Sequence, residues 1–101
     1  MSAANGRFAR ADAAPVLDEA RIADQLRELM TLTAGIPPEL VQLDSTFDGE
    51  LAMDSLSFVA FQVEVERTFL IDCPLEELRD VTRFEEVVRL VSRKLAAGVA
   101  R

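Results

Sequence analysis

Two apolar stripes run along one predicted helix, and this pattern most constrains how the chain can fold. Between Leu56 and Phe69, apolar residues recur at helical spacing on two sides of the helix. One stripe contains Phe58, Phe61, Val65 and Phe69, and the other contains Leu56, Val59, Ala60 and Val63. Because a small domain can bury only one of these faces, we expect the aromatic stripe in the core and the aliphatic stripe at a docking surface. The alternative is that a short helix covers the aliphatic stripe.

Another amphipathic helix is predicted before this one. It starts near Asp18 and stops at Gly35, just ahead of Pro37-Pro38. Its apolar face consists of Ile22, Leu26, Leu29, Met30 and Thr33. A long connection then leads to Ser55, and we expect its apolar residues, Leu40, Val41, Leu43 and Phe47, to fasten it to the core.

Two helices are predicted after the central one. Pro74, followed by Leu75 and Leu78, indicates one or two helical turns. Thr82 and Glu85 have the spacing of a capping box, which predicts the start of the last helix. The apolar face of that helix is Phe84, Val87, Val88, Val91 and Leu95, and Gly98 can end it.

These segments predict an all-α fold, a small bundle of three long helices and one short helix. Strand-like alternation is absent from the sequence. We interpret residues 1–16 as a disordered N-terminal arm, residues 17–97 as one domain, and residues 98–101 as a flexible C-terminal tail.

Composition excludes several classes of function. The 101 residues contain no histidine, so the chain cannot supply the usual catalytic triads, and one cysteine, Cys73, excludes an internal disulfide. We expect Cys73 to be partly buried in a loop. A net charge of −7 argues against nucleic acid or an anionic membrane as a partner. Because the sequence shows no signal peptide or membrane span, we expect a soluble, cytoplasmic protein. We also expect a protein that has no catalytic residues and is a monomer.

The acidic residues are concentrated around Ser55. No Lys or Arg lies between Arg27 and Arg67, whereas seven carboxylates lie from Glu39 to Glu66. Asp44 to Gly49 resembles the start of a calcium-binding loop, but Ser55 occupies its twelfth position, so no metal site is predicted. A phosphate on Ser55, at a helix start, would gain about 0.3–1 kcal/mol from the helix dipole. Alternatively, Ser55 or Asp54 is only a helix cap.

The run from Leu51 to Leu56, which contains Asp54-Ser55-Leu56 and opens a helix, carries a family resemblance. Together with the acidic segment, Phe69, Pro74 and the run from Val81 to Phe84, it makes residues 18–96 resemble an acyl carrier protein. The resemblance implies a non-catalytic carrier. It also implies that a phosphopantetheinyl transferase attaches 4′-phosphopantetheine from coenzyme A to Ser55, and that acyl, polyketide or aminoacyl groups are then held as thioesters.

The same resemblance implies a docking face for the transferase, the acyl- or aminoacyl-loading enzyme and the downstream synthase or transferase. Its positions are Asp54, Leu56, Val59, Ala60, Val63 and Glu66. Three residues depart from the pattern of fatty-acid carriers: Ala52 replaces a glycine, Ala60 a glutamate, and Arg67 interrupts the acidic face. These departures favour a discrete carrier of secondary metabolism, polyketide or aminoacyl in type. The competing hypothesis is an unmodified helical interaction module.

Overall fold

The computed structural model describes residues 18–98, and it contains three long helices and one short helix over that range. They are α1 (Glu19–Ala34), α2 (Ser55–Phe69), α3 (Leu75–Arg79) and α4 (Phe84–Ala96), with a 3-10 turn at Pro38–Leu40. Within this range β structure is limited to an isolated bridge between Thr46 and Arg83. The predicted all-α bundle is therefore confirmed. The predicted arm, residues 1–16, and residues 99–101 of the predicted tail lie outside the described residues.

Local capping explains the bounds of α1. The Asp18 carboxylate accepts a hydrogen bond from the Arg21 N–H at 2.9 Å, which satisfies a donor of the first turn. At the other end Gly35 adopts a left-handed conformation with φ 71°, and its N–H donates to the Thr31 carbonyl. Both ends lie where the sequence predicts them.

The core lies where α1 packs against α2 and α4. The helical residues buried there are Ile22, Ala23, Leu26, Leu29, Met30, Phe61, Val65, Phe69, Phe84, Val87, Val88 and Val91. The aromatic stripe of α2 thus faces inward, as predicted. Phe58 is the exception, because it is only half-buried and packs against the edge of the core.

The connection between α1 and α2 forms backbone hydrogen bonds with the start of α4 and the residues just before it. The Phe47 N–H donates to the Thr82 carbonyl at 3.1 Å, and the N–H groups of Phe84 and Glu85 donate to the carbonyls of Ser45 and Leu43 at 2.9 and 2.8 Å. These bonds also satisfy first-turn donors of α4. The connection is therefore held by the start of the last helix.

The apolar residues of the connection divide into two kinds. Val41 and Phe47 are buried, as expected, but Leu40 and Leu43 are 61% and 50% exposed. The expectation that all four fasten the connection to the core was wrong for these two. Since hydrogen bonds already fix the backbone there, their side chains are free to point outward.

The cap of α4 differs from the predicted capping box. Glu86, not Glu85, supplies the carboxylate, and its Oε1 accepts from the N–H groups of Thr82 and Arg83. The helix begins two residues after Thr82, which makes Glu86 the third helical residue. These two bonds lower the pKa of Glu86.

Cys73 is completely buried, which corrects the expectation of partial burial. Its carbonyl accepts a hydrogen bond from the Gln62 side chain at 2.9 Å, and its N–H donates to Glu66 at 2.8 Å. Burial raises the pKa of the Cys73 thiol to about 11, so the thiol stays protonated and unreactive near neutral pH.

Among residues 18–98, every helix is too short or too polar to cross a lipid bilayer.

Replacing Phe61 tests the assignment of the core face. Because the Phe61 ring is fully buried, Phe61→Ala should lower the free energy of unfolding by about 3–5 kcal/mol. Val63→Ala on the exposed side of α2 should change it by only about 0.5 kcal/mol or less. Urea unfolding followed by circular dichroism measures both, and equal losses would contradict the assignment.

Candidate functional site

Ser55 is the first residue of α2, and it is exposed to solvent. The capping role belongs to Asp54, whose Oδ1 accepts from the Ser57 N–H at 2.8 Å. The Ser55 hydroxyl is therefore not required to cap the helix, and it stands beside the unpaired N–H groups and positive dipole end of the first turn. The hydrogen bonds from Ser57 lower the pKa of Asp54.

A tightly hydrogen-bonded loop precedes Ser55. The Glu50 carboxylate accepts from both the N–H and the hydroxyl of Thr46, at 2.9 and 2.8 Å, and these bonds lower the pKa of Glu50. The Met53 N–H donates to the Phe47 carbonyl at 2.8 Å. The loop thus closes on itself immediately before α2 and fixes where Ser55 begins the helix.

The loop includes the segment that resembles the start of a calcium-binding site. In residues 18–98 no group of three or more His, Cys, Asp or Glu side chains is arranged to hold a metal ion. Glu50 is instead engaged by Thr46, so its carboxylate stabilises the loop.

Ala52 has a backbone conformation that was not predicted. Its φ is +49°, in the left-handed region, which costs a residue with a Cβ about 1–2 kcal/mol relative to the right-handed region. The turn at Ala52 joins Leu51, which is buried, to Met53, which is half-buried. Ala52 is also the position at which the resemblance to acyl carrier proteins implies a glycine. The departure therefore places alanine where the backbone favours glycine.

A groove with a volume of about 350 Å³ lies beside Ser55. Residues of the loop, α2, α3 and the segment between α3 and α4 line it: Phe47, Asp48, Met53, Asp54, Ser55, Phe58, Leu78, Arg79, Val81 and Thr82. Phe47 and Phe58 meet edge to face there, with 5.5 Å between ring centroids. The sequence did not reveal this groove, because residues from four separate segments form it.

Within residues 18–98, no helix covers the aliphatic stripe of α2. Leu56 is 81% exposed, Val59 41% and Val63 43%, and Ala60 is half-buried. The alternative that a short helix covers this stripe is wrong. Leu70, at the C-terminal end of α2, is 67% exposed and adds an apolar residue that the sequence analysis missed. Contiguous exposed apolar side chains on a small domain are typical of a contact surface.

The carboxylates around the stripe already form hydrogen bonds or ion pairs within the protein. Glu66 is half-buried, and its Oε2 accepts the hydrogen bond from the Cys73 N–H. Glu64 pairs with Arg67 at 3.5 Å. Of the two carboxylates predicted to guide docking, Asp54 is exposed but caps α2, and Glu66 also holds the segment before α3.

Comparison with known proteins identifies the class. Residues 24–91 match the family described as phosphopantetheine attachment site, and this range includes the groove and Ser55. The chain belongs to this family, whose members are carriers with a covalently attached 4′-phosphopantetheine.

Individual relatives place the chain among the acyl carrier proteins. The acyl carrier protein of Thermobifida fusca is 29% identical over 75 residues, which cover 74% of this chain and 95% of that protein. That of Renibacterium salmoninarum is 30% identical over 67 residues, covering 66% of this chain and 83% of that protein. That of Kocuria rhizophila is 30% identical over 71 residues, covering 70% and 88%.

The chain is therefore a non-catalytic carrier modified by a phosphopantetheinyl transferase, as the sequence predicts. The cofactor, 4′-phosphopantetheine, is covalently attached. Carriers of this class work with the transferase and with biosynthetic enzymes. The missing histidine is consistent with this role, because the enzymes supply the catalytic groups.

Replacing Ala52 tests the left-handed backbone. Ala52→Gly should raise the free energy of unfolding by up to ~1 kcal/mol, because glycine adopts positive φ without the steric cost. Ala60→Gly, within α2, should lower it by about 0.5–1 kcal/mol, since glycine weakens a helix interior. Urea unfolding of the two variants should give opposite signs, and equal losses would disprove the conformation at Ala52.

Acid should weaken the fold partly through Asp54. Because its pKa is lowered in the folded state, the cap stabilises above the unfolded pKa of about 3.9 and is lost as the pH falls through the folded value. Asp54→Asn keeps a capping oxygen but removes the charge, so melting temperature should fall less between pH 7 and pH 3 than in the wild type. Glu50 and Glu86 should leave a residual acid sensitivity.

Asp48→Asn is the charge control for this experiment. It removes one exposed carboxylate of the same loop without removing a cap. If Asp48→Asn and Asp54→Asn flatten the pH profile equally, general charge repulsion accounts for the acid sensitivity, and the cap does not.

Proposed function

We propose that Ser55 is the attachment residue and that the chain holds acyl, polyketide or aminoacyl intermediates as thioesters on the arm. The observation that carries this proposal is that Ser55 is exposed in the first turn of α2. Its hydroxyl is not needed as a cap, because Asp54 already caps this helix. A phosphodiester there meets the positive end of the helix dipole. Of the nearby serines, Ser45 is buried with its Oγ accepting the Gln42 N–H, and Ser57 is half-buried.

We further propose a dedicated carrier of secondary metabolism, polyketide or aminoacyl in type. Arg67 pairs with Glu64 and so reduces the negative charge along the C-terminal half of α2. Ala60 adds an apolar side chain to the stripe in place of a charged one. This face of α2 therefore favours partners that rely on apolar contact more than on a strongly basic surface. Loading assays with acyl- and aminoacyl-transferring enzymes test the type.

Modification at Ser55 is tested by intact mass. Incubation with coenzyme A, Mg²⁺ and a phosphopantetheinyl transferase of broad specificity should add one 4′-phosphopantetheine per chain. Ser55→Ala should gain none, whereas Ser57→Ala should be modified normally. Peptide mapping that placed the group on Ser45 or Ser57 would sink the assignment, and a lack of modification would favour the alternative, an unmodified interaction module.

The same structure supports a docking face for the partners. We propose that Asp54, Leu56, Val59, Ala60, Val63 and Glu66 form it, extended by Leu70. The apolar members lie on α2 directly beyond Ser55, so a partner that contacts them also reaches the attachment residue. Apolar contact should govern the lifetime of the complex, and the carboxylates should govern the rate of encounter.

Val63→Asp tests the apolar part of the face. The side chain is exposed, so the fold should survive, while modification and loading should slow by about tenfold or more because a charge must be desolvated in the contact. Thr68→Asp is the matched control, since it adds the same charge at an exposed position of α2 outside the stripe. Equal rates for the two variants at unchanged circular dichroism would move the docking surface away from α2.

Charge at Glu66 is best tested with Glu66→Gln. A lysine would remove the acceptor of the Cys73 N–H, whereas glutamine keeps an oxygen in place and removes only the charge. Glu66→Gln should slow association by a modest factor at low salt, and the difference between variant and wild type should shrink above about 0.1 M salt, where the screening length falls below about 10 Å. A difference independent of salt would indicate that Glu66 acts through the fold instead.

A further inference from the structure

One cation lines the groove beside Ser55. The groove has an apolar part formed by Phe58, Leu78 and Val81, among others, and its charged lining residues are Asp48, Asp54 and Arg79. Arg79 is the last residue of α3, and it is exposed. The loop supplies the negative charges and α3 the positive one.

Arg79 is also available to bind an anion. Among residues 18–98, five cations form ion pairs with nearby carboxylates, namely Arg27, Arg67, Arg83, Arg89 and Lys94. Within the same range Arg79 forms no ion pair, and neither do Arg21 and Arg93, which do not line this groove.

A phosphodiester on Ser55 would bring one more negative charge to a groove that already has two carboxylates. Guanidinium groups bind phosphate oxygens through two parallel hydrogen bonds, and such charge-assisted bonds are stronger than neutral ones. Arg79 is the cation placed to balance this charge, since it lines the same groove as Ser55.

We propose that Arg79 is a positioning residue that pairs with the phosphodiester on Ser55 and holds the first part of the attached arm against α3. The arm then lies along the apolar lining of the groove, where its terminal thiol is less exposed to solvent. This inference rests on the proposed attachment at Ser55. It assigns Arg79 a role in the carrier itself, separate from the contact of α2 with partners.

The experiment compares modified wild type, Arg79→Ala, Arg79→Lys and Arg21→Ala. Arg21→Ala is the matched control, because it removes one exposed arginine that does not line the groove. Intact mass first verifies one arm per chain. The rate at which iodoacetamide, a neutral reagent, alkylates the arm thiol then reports its exposure; Cys73 does not interfere, because it is buried. The ³¹P resonance of the phosphodiester reports the ion pair.

Arg79→Ala should raise the alkylation rate about two- to fivefold, the range expected for one exposed ion pair, and should shift the ³¹P resonance. The alkylation rate of Arg79→Lys should lie between those of Arg79→Ala and the wild type, and the rate of Arg21→Ala should match the wild type. In 0.5 M salt the difference in alkylation rate between Arg79→Ala and the wild type should shrink. Equal rates and an unchanged resonance in Arg79→Ala overturn the proposal.

The first step separates the two proposals. If the wild type takes up no arm at Ser55, the proposed function fails and the role of Arg79 falls with it. If only Arg79→Ala is not modified, Arg79 acts in recognition by the transferase, and the positioning role is wrong. If all variants are modified and the rates agree, the carrier function stands and only the role of Arg79 is overturned.

Discussion

The rest of the structure depends on how the connection between α1 and α2 is bound to the start of α4. Backbone hydrogen bonds from Phe47, Phe84 and Glu85 link these two segments, which are far apart in sequence. The buried Phe47 ring then contacts Phe58 and Phe61, with centroids 5.5 and 6.3 Å away, so the loop is fixed to α2 as well. Because the loop is bound both to α2 and to the start of α4, Ser55 has a defined position relative to the groove.

Helix number and core residues could be predicted because they follow from periodicity, which the sequence carries locally. The details that could not be predicted depend on the backbone or on distant contacts. A positive φ at Ala52 leaves no mark in an apolar pattern, and hydropathy cannot show that hydrogen bonds leave Leu40 and Leu43 outside the core. The cap at Glu86 was misassigned because two glutamates follow Thr82, and the position of the first helical residue decides between them.

The candidate site also has parts that local sequence patterns predict and parts that depend on contacts between distant segments. Ser55 and the aliphatic stripe lie on one continuous segment, so helical spacing was enough to predict a serine at a helix start followed by a second apolar face outside the core. The groove could not be found like this, because α3 and the loop contribute to it from opposite sides of α2 in the sequence. The second task of Glu66, as acceptor for the Cys73 N–H, is likewise a contact between segments that no local pattern encodes.

The two faces of α2 place different physical demands on one helix. On the inner face, Phe61 and Val65 are fully buried and anchor the helix in the core, so changes on the outer face should have little effect on packing. Substitutions of its exposed residues, such as Val59 and Val63, should therefore leave the fold intact. Since Ser55 lies at the start of the same helix, a partner bound to the outer face would meet the proposed attachment residue at a fixed distance. Burial of one side of α2 would thus give geometric precision to the proposed recognition on the other side.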